Sequence, residues 1–133
     1  MPFAKPSADK AKLEQGTELT PNFDKNGLIA AIAQEASSGD ILMFAWMNAA
    51  ALEATIATGE ATFFSRSRNR LWKKGEESGN VLRIVDIRID CDQDVVLLRV
   101  KTAGQGVACH TGAKSCFYRK LQISGGGVEL IKV

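Results

Sequence analysis

The sequence is poor in the features that mark membrane proteins, secreted proteins and general nucleic-acid binders. Its longest apolar run covers residues 41–47, far short of the ~20 residues that a membrane-spanning helix needs. The N-terminal residues include lysines but no apolar signal segment with a cleavage site. Lysine plus arginine number 17 against 15 for aspartate plus glutamate, a net charge of +2, which is too small for bulk electrostatic binding to nucleic acid or membranes. We therefore expect a cytoplasmic protein with neither kind of partner.

Cysteine and histidine are also scarce, with three of the first and one of the second among 133 residues. An odd number of cysteines without a Cys-x-x-Cys pair argues against a disulfide framework and against a thiol redox protein. The simplest interpretation makes the cysteines small buried hydrophobic residues. The rest of the composition is ordinary, with 45% hydrophobic and 24% charged residues, which excludes disordered, collagen-like and coiled-coil chains.

The chain has the length of one domain and can bury a sizeable core. Residues 1–20 are polar, contain Pro2 and Pro6 and lack periodicity, so we interpret them as a mobile or loosely docked arm before a single domain at 21–133. The patterns predict strands at 27–35, 41–47, 60–67, 81–91, 95–101, 117–123 and 128–133, a loop at 68–80, and a helix at 49–58. Asn48 and Gly59 supply the start and stop of that helix. Many strands and one main helix indicate an α+β or mainly β domain, and α+β is the class that we expect.

The sharpest local feature is the run Asp-Cys-Asp-Gln-Asp at residues 90–94. If the strand that begins at residue 81 continues through it, Asp90, Asp92 and Asp94 share one face and Cys91 lies on the other. Three carboxylates placed in this way repel one another unless a cation lies among them, and oxygen ligands suit Mg²⁺ or Ca²⁺. The alternative is a solvated acidic turn between two strands.

The cysteines suggest a second, softer metal site. Thiolates favour zinc, and Cys91, Cys109 and Cys116 would leave a fourth position for water, as in catalytic zinc sites. The six-residue gap between the last two does not match a standard structural zinc motif. His110, the only histidine, is then either a fourth ligand or an acid/base group beside the metal-bound water, and we favour the second role.

Residues 65–75 carry five of the 17 basic residues, together with serines and a glycine. On a strand, Arg66 and Arg68 would share one face, with Ser65 and Ser67 opposite. Arginine side chains fit phosphate oxygens, which hydroxyls and glycine amides help to hold, and Trp72 can stack on a base. The alternatives are a solvated basic strand end with the tryptophan in the core, and sequence-unspecific RNA binding, for which the patch is small.

Seven stretches between residues 21 and 119 occur together in an order and spacing typical of one family. They are residues 27–32, 42–43 with 47–48, 65–68 with 71–72, 74–79, 90–94, 109–112 and 115–117. In these stretches the chain resembles the phosphoribosyl-AMP cyclohydrolases of histidine biosynthesis. Two positions depart from the family pattern: Asn80 stands where many members have histidine, and Glu77 stands where threonine is frequent.

The resemblance implies a hydrolase acting on a C–N bond of a cyclic amidine. Its small nucleotide substrate is 1-(5-phosphoribosyl)-AMP, whose adenine ring is opened at the N1–C6 bond in the third step of histidine biosynthesis. The product is the phosphoribosyl-formimino-aminoimidazole carboxamide ribonucleotide. In the implied mechanism a zinc-bound hydroxide attacks C6, which substitution at N1 makes more electrophilic, and the tetrahedral carbon then expels N1.

The same resemblance assigns roles to particular residues. The implied zinc ligands are Cys91, Cys109 and Cys116, with Cys91 reaching the other two from the partner chain of a homodimer. The implied magnesium ligands are Asp90, Asp92 and Asp94. The implied substrate-binding residues are Ser65, Arg66, Ser67, Arg68, Trp72, Lys74, Gly75 and Ser78. His110 matches a residue that we expect to shuttle protons, and the implied fold is a compact, homodimeric, strand-rich α+β roll.

Two other functions compete with this interpretation. A zinc-dependent base or nucleoside deaminase would use a His-x-Glu pair and a Pro-Cys-x-x-Cys pair, and the sequence contains neither. A zinc-stabilised nucleic-acid-binding module, from a different class, would unfold without zinc and bind RNA with a steep salt dependence.

Overall fold

The computed structural model describes residues 3–133, and over that range it contains two helices and eight strands. The helices are α1 (Lys10–Gln15) and α2 (Ala49–Thr58). The strands are β1 (Ile29–Glu35), β2 (Ile41–Met47), β3 (Thr62–Ser65), β4 (Arg70–Lys73), β5 (Leu82–Ile89), β6 (Val95–Thr102), β7 (Arg119–Ser124) and β8 (Gly127–Lys132). This content confirms the α+β class with one main helix. No helix within residues 3–133 is both long and apolar enough to cross a membrane.

A four-stranded sheet forms the centre of the fold, in the order β2-β1-β6-β5. β1 is antiparallel to β2 and parallel to β6, while β5 and β6 are antiparallel. Every second residue is buried over the first six positions of β6, namely Val96, Leu98 and Val100, as expected for a strand with one face on the core. The predicted pairing of β1 with β2 and of β5 with β6 is confirmed.

The main helix, α2, begins and ends at the predicted residues. The Asn48 side chain accepts a hydrogen bond from the Ala51 amide at 2.8 Å, and Gly59 adopts the left-handed conformation at φ 72°. Leu52 and Thr55 are buried, and the Thr55 hydroxyl contacts the backbone of β3, accepting from its first amide at 3.0 Å. These contacts fix α2 against the β3–β4 hairpin.

That hairpin corrects two sequence predictions. The strand predicted at 60–67 is only the four residues of β3, and the predicted loop at 68–80 contains β4, which pairs antiparallel with β3. Arg66 and Arg68 lie in the connecting turn, where the Arg68 amide donates to the Ser65 hydroxyl at 3.2 Å and Asn69 has φ 51°. The prediction that the two arginines share one face of a strand is therefore wrong, because both lie in the turn. The sequence does not show where β3 ends and β4 begins, because β4 is short, largely exposed and without a hydrophobic period.

The N-terminal segment has defined contacts. Asp9 caps α1 by accepting from the Ala11 amide at 3.0 Å, the Phe3 and Phe23 rings lie 6.2 Å apart, and Gln93 hydrogen-bonds to the backbone of the segment. These contacts describe a docked segment, and its mobility stays a prediction. Residues 1 and 2 of the predicted arm lie outside the described residues.

The C-terminal hairpin of β7 and β8 carries an exposed apolar surface. The strands pair antiparallel in continuous register, close to the predicted ranges 117–123 and 128–133. Leu121, Ile123, Val128 and Leu130 are each between 58% and 75% exposed. Neighbouring apolar side chains of this size are normally covered in a functional assembly.

Candidate active site

The three predicted magnesium ligands converge, although not for the predicted reason. Residues 90–94 form the turn between β5 and β6 rather than a continued strand. Their backbone conformation matches the alternative given above, an acidic turn between two strands. Asp90, Asp92 and Asp94 nevertheless place carboxylate oxygens within 4.8 Å of one another. Asp90 is held by the amides of Asp94 and Val95, which donate to its Oδ1 at 2.9 and 3.0 Å. We call this cluster the acidic turn.

Because these carboxyl groups lie close together, the pKa values of Asp90 and Asp94 shift in opposite directions. Hydrogen bonding to Asp90 and then to Asp92 raises the pKa of Asp94 to about 6. Burial acts to raise the pKa of Asp90, but hydrogen bonds from Asp94 and from the backbone amides of Val95 and Asp94 lower it overall. Below about pH 6 the acidic turn therefore binds a proton that a bound cation would displace. Three converging oxygens suit a hard divalent cation, so the donor set fits magnesium.

Cys109 and Cys116 are brought together by a loop that closes on itself. The Ala108 amide donates to the Lys114 carbonyl at 3.0 Å, and the Cys109 amide donates to the Ala113 carbonyl at 3.1 Å. The six residues between the two cysteines therefore span a short distance. Two neighbouring thiols form a soft donor pair, which fits zinc.

The two thiols differ in acidity. The Thr111 hydroxyl donates to Cys109 Sγ at 3.0 Å, and this hydrogen bond, followed by one from the Thr111 backbone, lowers the pKa of the Cys109 thiol. Burial, and then hydrogen bonding to Cys109, raises the pKa of Cys116. Cys109 is thus the thiol that deprotonates first, which metal ligation requires.

Residues that the sequence analysis did not single out anchor this loop to the sheet. Lys114 forms ion pairs with Glu35 at 2.8 Å and with Asp40 at 3.0 Å. The Cys116 amide donates to the Leu42 carbonyl at 2.7 Å. These contacts fix the thiol pair at the end of β1 and the start of β2. No periodic signal marks them, because each joins residues more than 70 positions apart in the chain.

Cys91 does not join the other two cysteines within one chain. Among residues 3–133, the acidic turn is the only group of three or more potential metal ligands within 4.8 Å of one another. Val95, which follows the turn, pairs with Ala30 at the start of β1, whereas the thiol pair contacts the other end. A seven-residue strand separates these ends by roughly 20 Å. Cys91 is exposed.

A cleft of about 540 Å³ lies beside the β3–β4 hairpin. It is lined by Ser65, Ser67, Arg68, Arg70, Trp72, Lys73, Gly75, Glu76, Glu77 and Ser78. Six of the eight predicted substrate-binding residues are in this set. The other two lie outside it: Arg66 places its guanidinium 5.1 Å from the Trp46 ring centre, and Lys74 lines a neighbouring cavity.

That neighbouring cavity, of about 330 Å³, contains the thiol loop. It is lined by Lys74, Ser78, Asn80, Gln105, Val107, Ala108, Cys109, His110 and Gly112. Ser78 lines both cavities, so the basic cleft and the thiol loop adjoin. His110 is exposed here, next in sequence to Cys109.

Gly75 and Trp72 shape the wall of the cleft. Gly75 has φ 81°, and a Cβ there would overlap the backbone of Asn80 and Val81, so only glycine lets the loop return so closely. Trp72 lies half-buried with its ring 5.1 Å from that of Phe63, so it both packs on the core and faces the cleft.

Arg70, Lys73, Glu76, Glu77 and Asn80 are cavity residues that sequence reasoning did not select. Arg70 and Lys73 belong to the basic segment at residues 65–75, and its density of positive charge is the sequence signal that could have identified them. Asn80 was set aside as a departure from the family pattern, yet its side-chain oxygen accepts from the Gln105 amide at 2.8 Å. It therefore joins the loop after β4 to the segment that leads to Cys109.

An α+β domain that combines a carboxylate cluster, a thiol pair and an adjoining basic cleft has the parts of a metal-dependent enzyme for an anionic substrate. A family model described as phosphoribosyl-AMP cyclohydrolase matches residues 43–118. A protein of that name from a Caulobacter species is 60% identical over 114 residues, covering 86% of this chain and 85% of that protein. One from a Chelativorans species is 55% identical over 124 residues, covering 93% and 89%. The chain belongs to the phosphoribosyl-AMP cyclohydrolase family.

Family membership confirms the resemblance drawn from the seven sequence stretches, and it confirms the prediction of an enzyme. The matched range includes the acidic turn, both loop cysteines and the basic segment. The family is metal-dependent, in agreement with the two donor sets of the chain.

Proposed function

We propose that the chain catalyses the reaction that names its family, the hydrolytic opening of the adenine ring of phosphoribosyl-AMP at the N1–C6 bond, in the cytoplasm and in histidine biosynthesis. The observation that carries the proposal is the junction of two cavities at Ser78. One cavity offers cations and hydroxyls for phosphates, and the other offers the thiol pair and the histidine for hydrolysis. Residues 21–133 act as the single catalytic domain.

Zinc is the metal proposed for the thiols. Cys109 and Cys116 supply two ligands, and the acidity of Cys109 favours the thiolate form. When bound, zinc supplies the Lewis acidity that makes water nucleophilic at neutral pH. Cys91 completes the set from a partner subunit, because it lies at the opposite end of β1 within its own chain.

A homodimer follows from this division of ligands. A symmetric dimer that joins the acidic-turn end of one subunit to the thiol end of the other forms two equivalent sites. The exposed apolar surface of the C-terminal hairpin supports a dimer as well, since a second copy of the chain would remove Leu121, Ile123, Val128 and Leu130 from water.

Magnesium is the proposed ion for the acidic turn. Asp90, Asp92 and Asp94 supply three oxygen ligands, and magnesium bound by few carboxylates characteristically contacts substrate phosphates as well. Its charge would offset the phosphate charge of a substrate that carries two phosphoribosyl groups.

The chain's own residues bind and orient the substrate. Arg68 donates in the fork geometry that suits phosphate, with Ser65, Ser67, Gly75 and Ser78 lining the same cleft. Trp72 offers a ring face on which the purine can stack. Arg66 and Lys74 complete the proposed set from outside the cleft.

His110 moves the proton that the reaction requires. Addition of water at C6 and cleavage of the N1–C6 bond release one proton from water and add one at N1. A ring nitrogen of His110 can accept the first and return it to N1, because the imidazole lies in the cavity that contains Cys109.

The first test is ring opening of phosphoribosyl-AMP by the purified protein at fixed magnesium, with and without a zinc chelator. We expect turnover that the chelator abolishes and added zinc restores. No turnover by a folded, zinc-loaded, dimeric sample would contradict the proposal, and salt-sensitive RNA binding by that sample would favour the nucleic-acid module instead.

Subunit mixing tests the shared zinc site. Cys91→Ala and Cys109→Ala subunits should each be inactive alone. A randomly reassociated equal mixture should regain roughly a quarter of the natural activity, because half of the dimers would contain one intact site of two. A mixture of Cys109→Ala with Cys116→Ala is the matched control and should stay inactive, and recovery there would contradict the assignment.

A further inference from the structure

Gln93 is a buried polar residue in the middle of the acidic turn. It is only 4% exposed, and its backbone is left-handed at φ 58°, which a residue other than glycine, asparagine or aspartate rarely adopts. Asp92 and Asp94 flank it directly. A conformation of this kind persists only where the surroundings determine it.

The surroundings that determine it belong to the N-terminal segment. The Thr20 amide donates to Gln93 Oε1 at 2.8 Å. Gln93 Nε2 donates to the Leu13 carbonyl at 3.0 Å and to the Glu18 carbonyl at 3.3 Å. The Asn22 amide donates to the Gln93 carbonyl at 2.7 Å. The side-chain amide is therefore used entirely by backbone groups between residues 13 and 20.

Two of the partners on the segment, Leu13 and Thr20, need Gln93 in turn. Leu13 lies in the last turn of α1, where carbonyl groups lack an intrahelical partner, and Thr20 is itself buried. A buried backbone group that loses its partner is unfavourable. The segment and the turn thus stabilise each other through a single residue, Gln93.

The conformation of Gln93 also controls the carboxylates. The Gln93 amide donates to the Asp90 carbonyl at 3.0 Å, which closes the turn. The next two amides, of Asp94 and Val95, then point at Asp90 Oδ1. If the backbone rotated at Gln93, Asp92 and Asp94 would no longer face the carboxylate that these amides hold.

We propose that Gln93 is a positioning residue that couples docking of the N-terminal segment to divalent-cation binding at the acidic turn. The inference rests on the proposed function of the three aspartates as magnesium ligands. Because coupling between two equilibria is reciprocal, the docked segment strengthens magnesium binding, and bound magnesium slows undocking of the segment.

The variant Gln93→Gly isolates the side chain. Glycine can adopt φ near +58° without strain, so the variant can still form the turn, but it loses all three side-chain hydrogen bonds that hold residue 93 in this conformation. We expect the magnesium dissociation constant, measured by calorimetry on the zinc-loaded dimer, to rise roughly 10- to 100-fold, as for other residues that support metal ligands. Zinc content should not change, and saturating magnesium should restore turnover, which a general loss of folding would not permit.

Gln34→Ala is the matched control. Gln34 also donates from its side chain to a backbone carbonyl, that of Gly39 at 3.0 Å, but it lies near the end of β1, away from the acidic turn. Its replacement should leave the magnesium dissociation constant unchanged.

Hydrogen exchange in the unmodified chain gives a second, independent measurement. Magnesium should slow exchange of the Thr20 and Asn22 amides, which donate to Gln93. In Asp92→Asn, which removes a proposed ligand, magnesium should have no such effect.

The outcomes separate the two proposals. Unchanged magnesium affinity in Gln93→Gly would overturn the coupling while leaving the metal assignment in place. The same conclusion would follow if magnesium bound to the unmodified chain without slowing hydrogen exchange of the Thr20 and Asn22 amides. Absence of magnesium binding by the unmodified, zinc-loaded protein would overturn both.

Discussion

Acidification should weaken magnesium binding at the acidic turn, because the proton there competes with the metal. The carboxyl groups of Asp90 and Asp92 raise the pKa of Asp94 to about 6, so Asp94 is protonated in about half of the metal-free protein near that pH. Magnesium needs the carboxylate, so an ion that binds to the protonated form should displace this proton.

The magnitude follows from that pKa. With a pKa of about 6, roughly ten in eleven Asp94 groups are ionised at pH 7 and roughly one in eleven at pH 5. The magnesium dissociation constant should therefore rise about tenfold between pH 7 and pH 5. The neighbouring Asp90, whose pKa is lowered, stays ionised over most of this range.

The free energy of unfolding of the metal-free protein should change in the opposite direction, rising on acidification while magnesium affinity falls. The pKa of Asp94 is higher in the folded protein than the 3.8 of a free side chain, so the folded state binds the proton more tightly than the unfolded state. The stabilisation is fully present below about pH 3.8 and is lost as the pH rises through about 6. At pH 7 and without metal, Asp94→Asn should therefore stabilise the protein, although it removes a proposed ligand.

Calorimetry at pH 7 and pH 5, in two buffers of different ionisation enthalpy, measures both the affinity and the protons released. Thermal unfolding without metal measures the stability. Asp94→Asn should lose the pH dependence of both quantities within this range. A magnesium affinity equal at the two pH values, with no proton released at pH 5, would refute the shared proton at the acidic turn.

Three further substitutions test individual contacts of the site. Thr111→Val removes the hydroxyl that donates to Cys109 and should raise the pKa of that thiol in zinc-free protein, followed by site-resolved alkylation against pH, whereas Thr111→Ser should not. Thr55→Val leaves a buried amide of β3 without its acceptor and should lower the free energy of unfolding by about 1–3 kcal/mol in denaturant titrations, with Thr55→Ser close to the unmodified chain. Gly75→Ala should raise KM and destabilise more than Gly79→Ala, since both glycines have φ 81° but only at Gly75 would the added Cβ overlap backbone, and equal effects would contradict this.

The parts of the fold with a hydrophobic period could be predicted from the sequence, and the basic hairpin could not. The exact bounds of α2 follow from Asn48, an alanine-rich face and Gly59. In contrast, β4 has only four residues with no buried one among them, so it shows neither alternation nor an apolar run. Its pairing with β3 depends on tertiary contacts, such as those of Thr55.

The site residues were predictable by chemical type, but their grouping was not. Residues 90–94 show which carboxylates belong together, yet the geometry that gathers them is a turn fixed by Gln93 and a segment some 70 positions earlier in the chain. Likewise the spacing of Cys109 and Cys116 does not show the loop closure or the Lys114 ion pairs. Contacts between distant parts of the chain carry no local period, and these contacts build the acidic turn and the thiol loop.

Because Cys91 lies inside the acidic turn, subunit mixing can also test which subunit supplies the proposed magnesium ligands. If Cys91 of the partner subunit completes a zinc site, the aspartates on either side of it must come with it, because all lie in one turn roughly 20 Å from their own chain's thiol pair. Each active site would then use the aspartates of one subunit and the His110 of the other. Asp92→Asn should consequently behave like Cys91→Ala.

At limiting magnesium, mixing Asp92→Asn with Cys109→Ala subunits should restore activity, because one site in each mixed dimer regains every ligand. Mixing Asp92→Asn with Cys91→Ala should restore none, since both defects fall on the same side of the interface. The reverse result would mean that Asp92 serves the thiol pair of its own chain. The seven-residue length of β1 places the two groups of one chain roughly 20 Å apart and argues against that arrangement, so the pattern of complementation tests the dimer geometry and the metal assignment together.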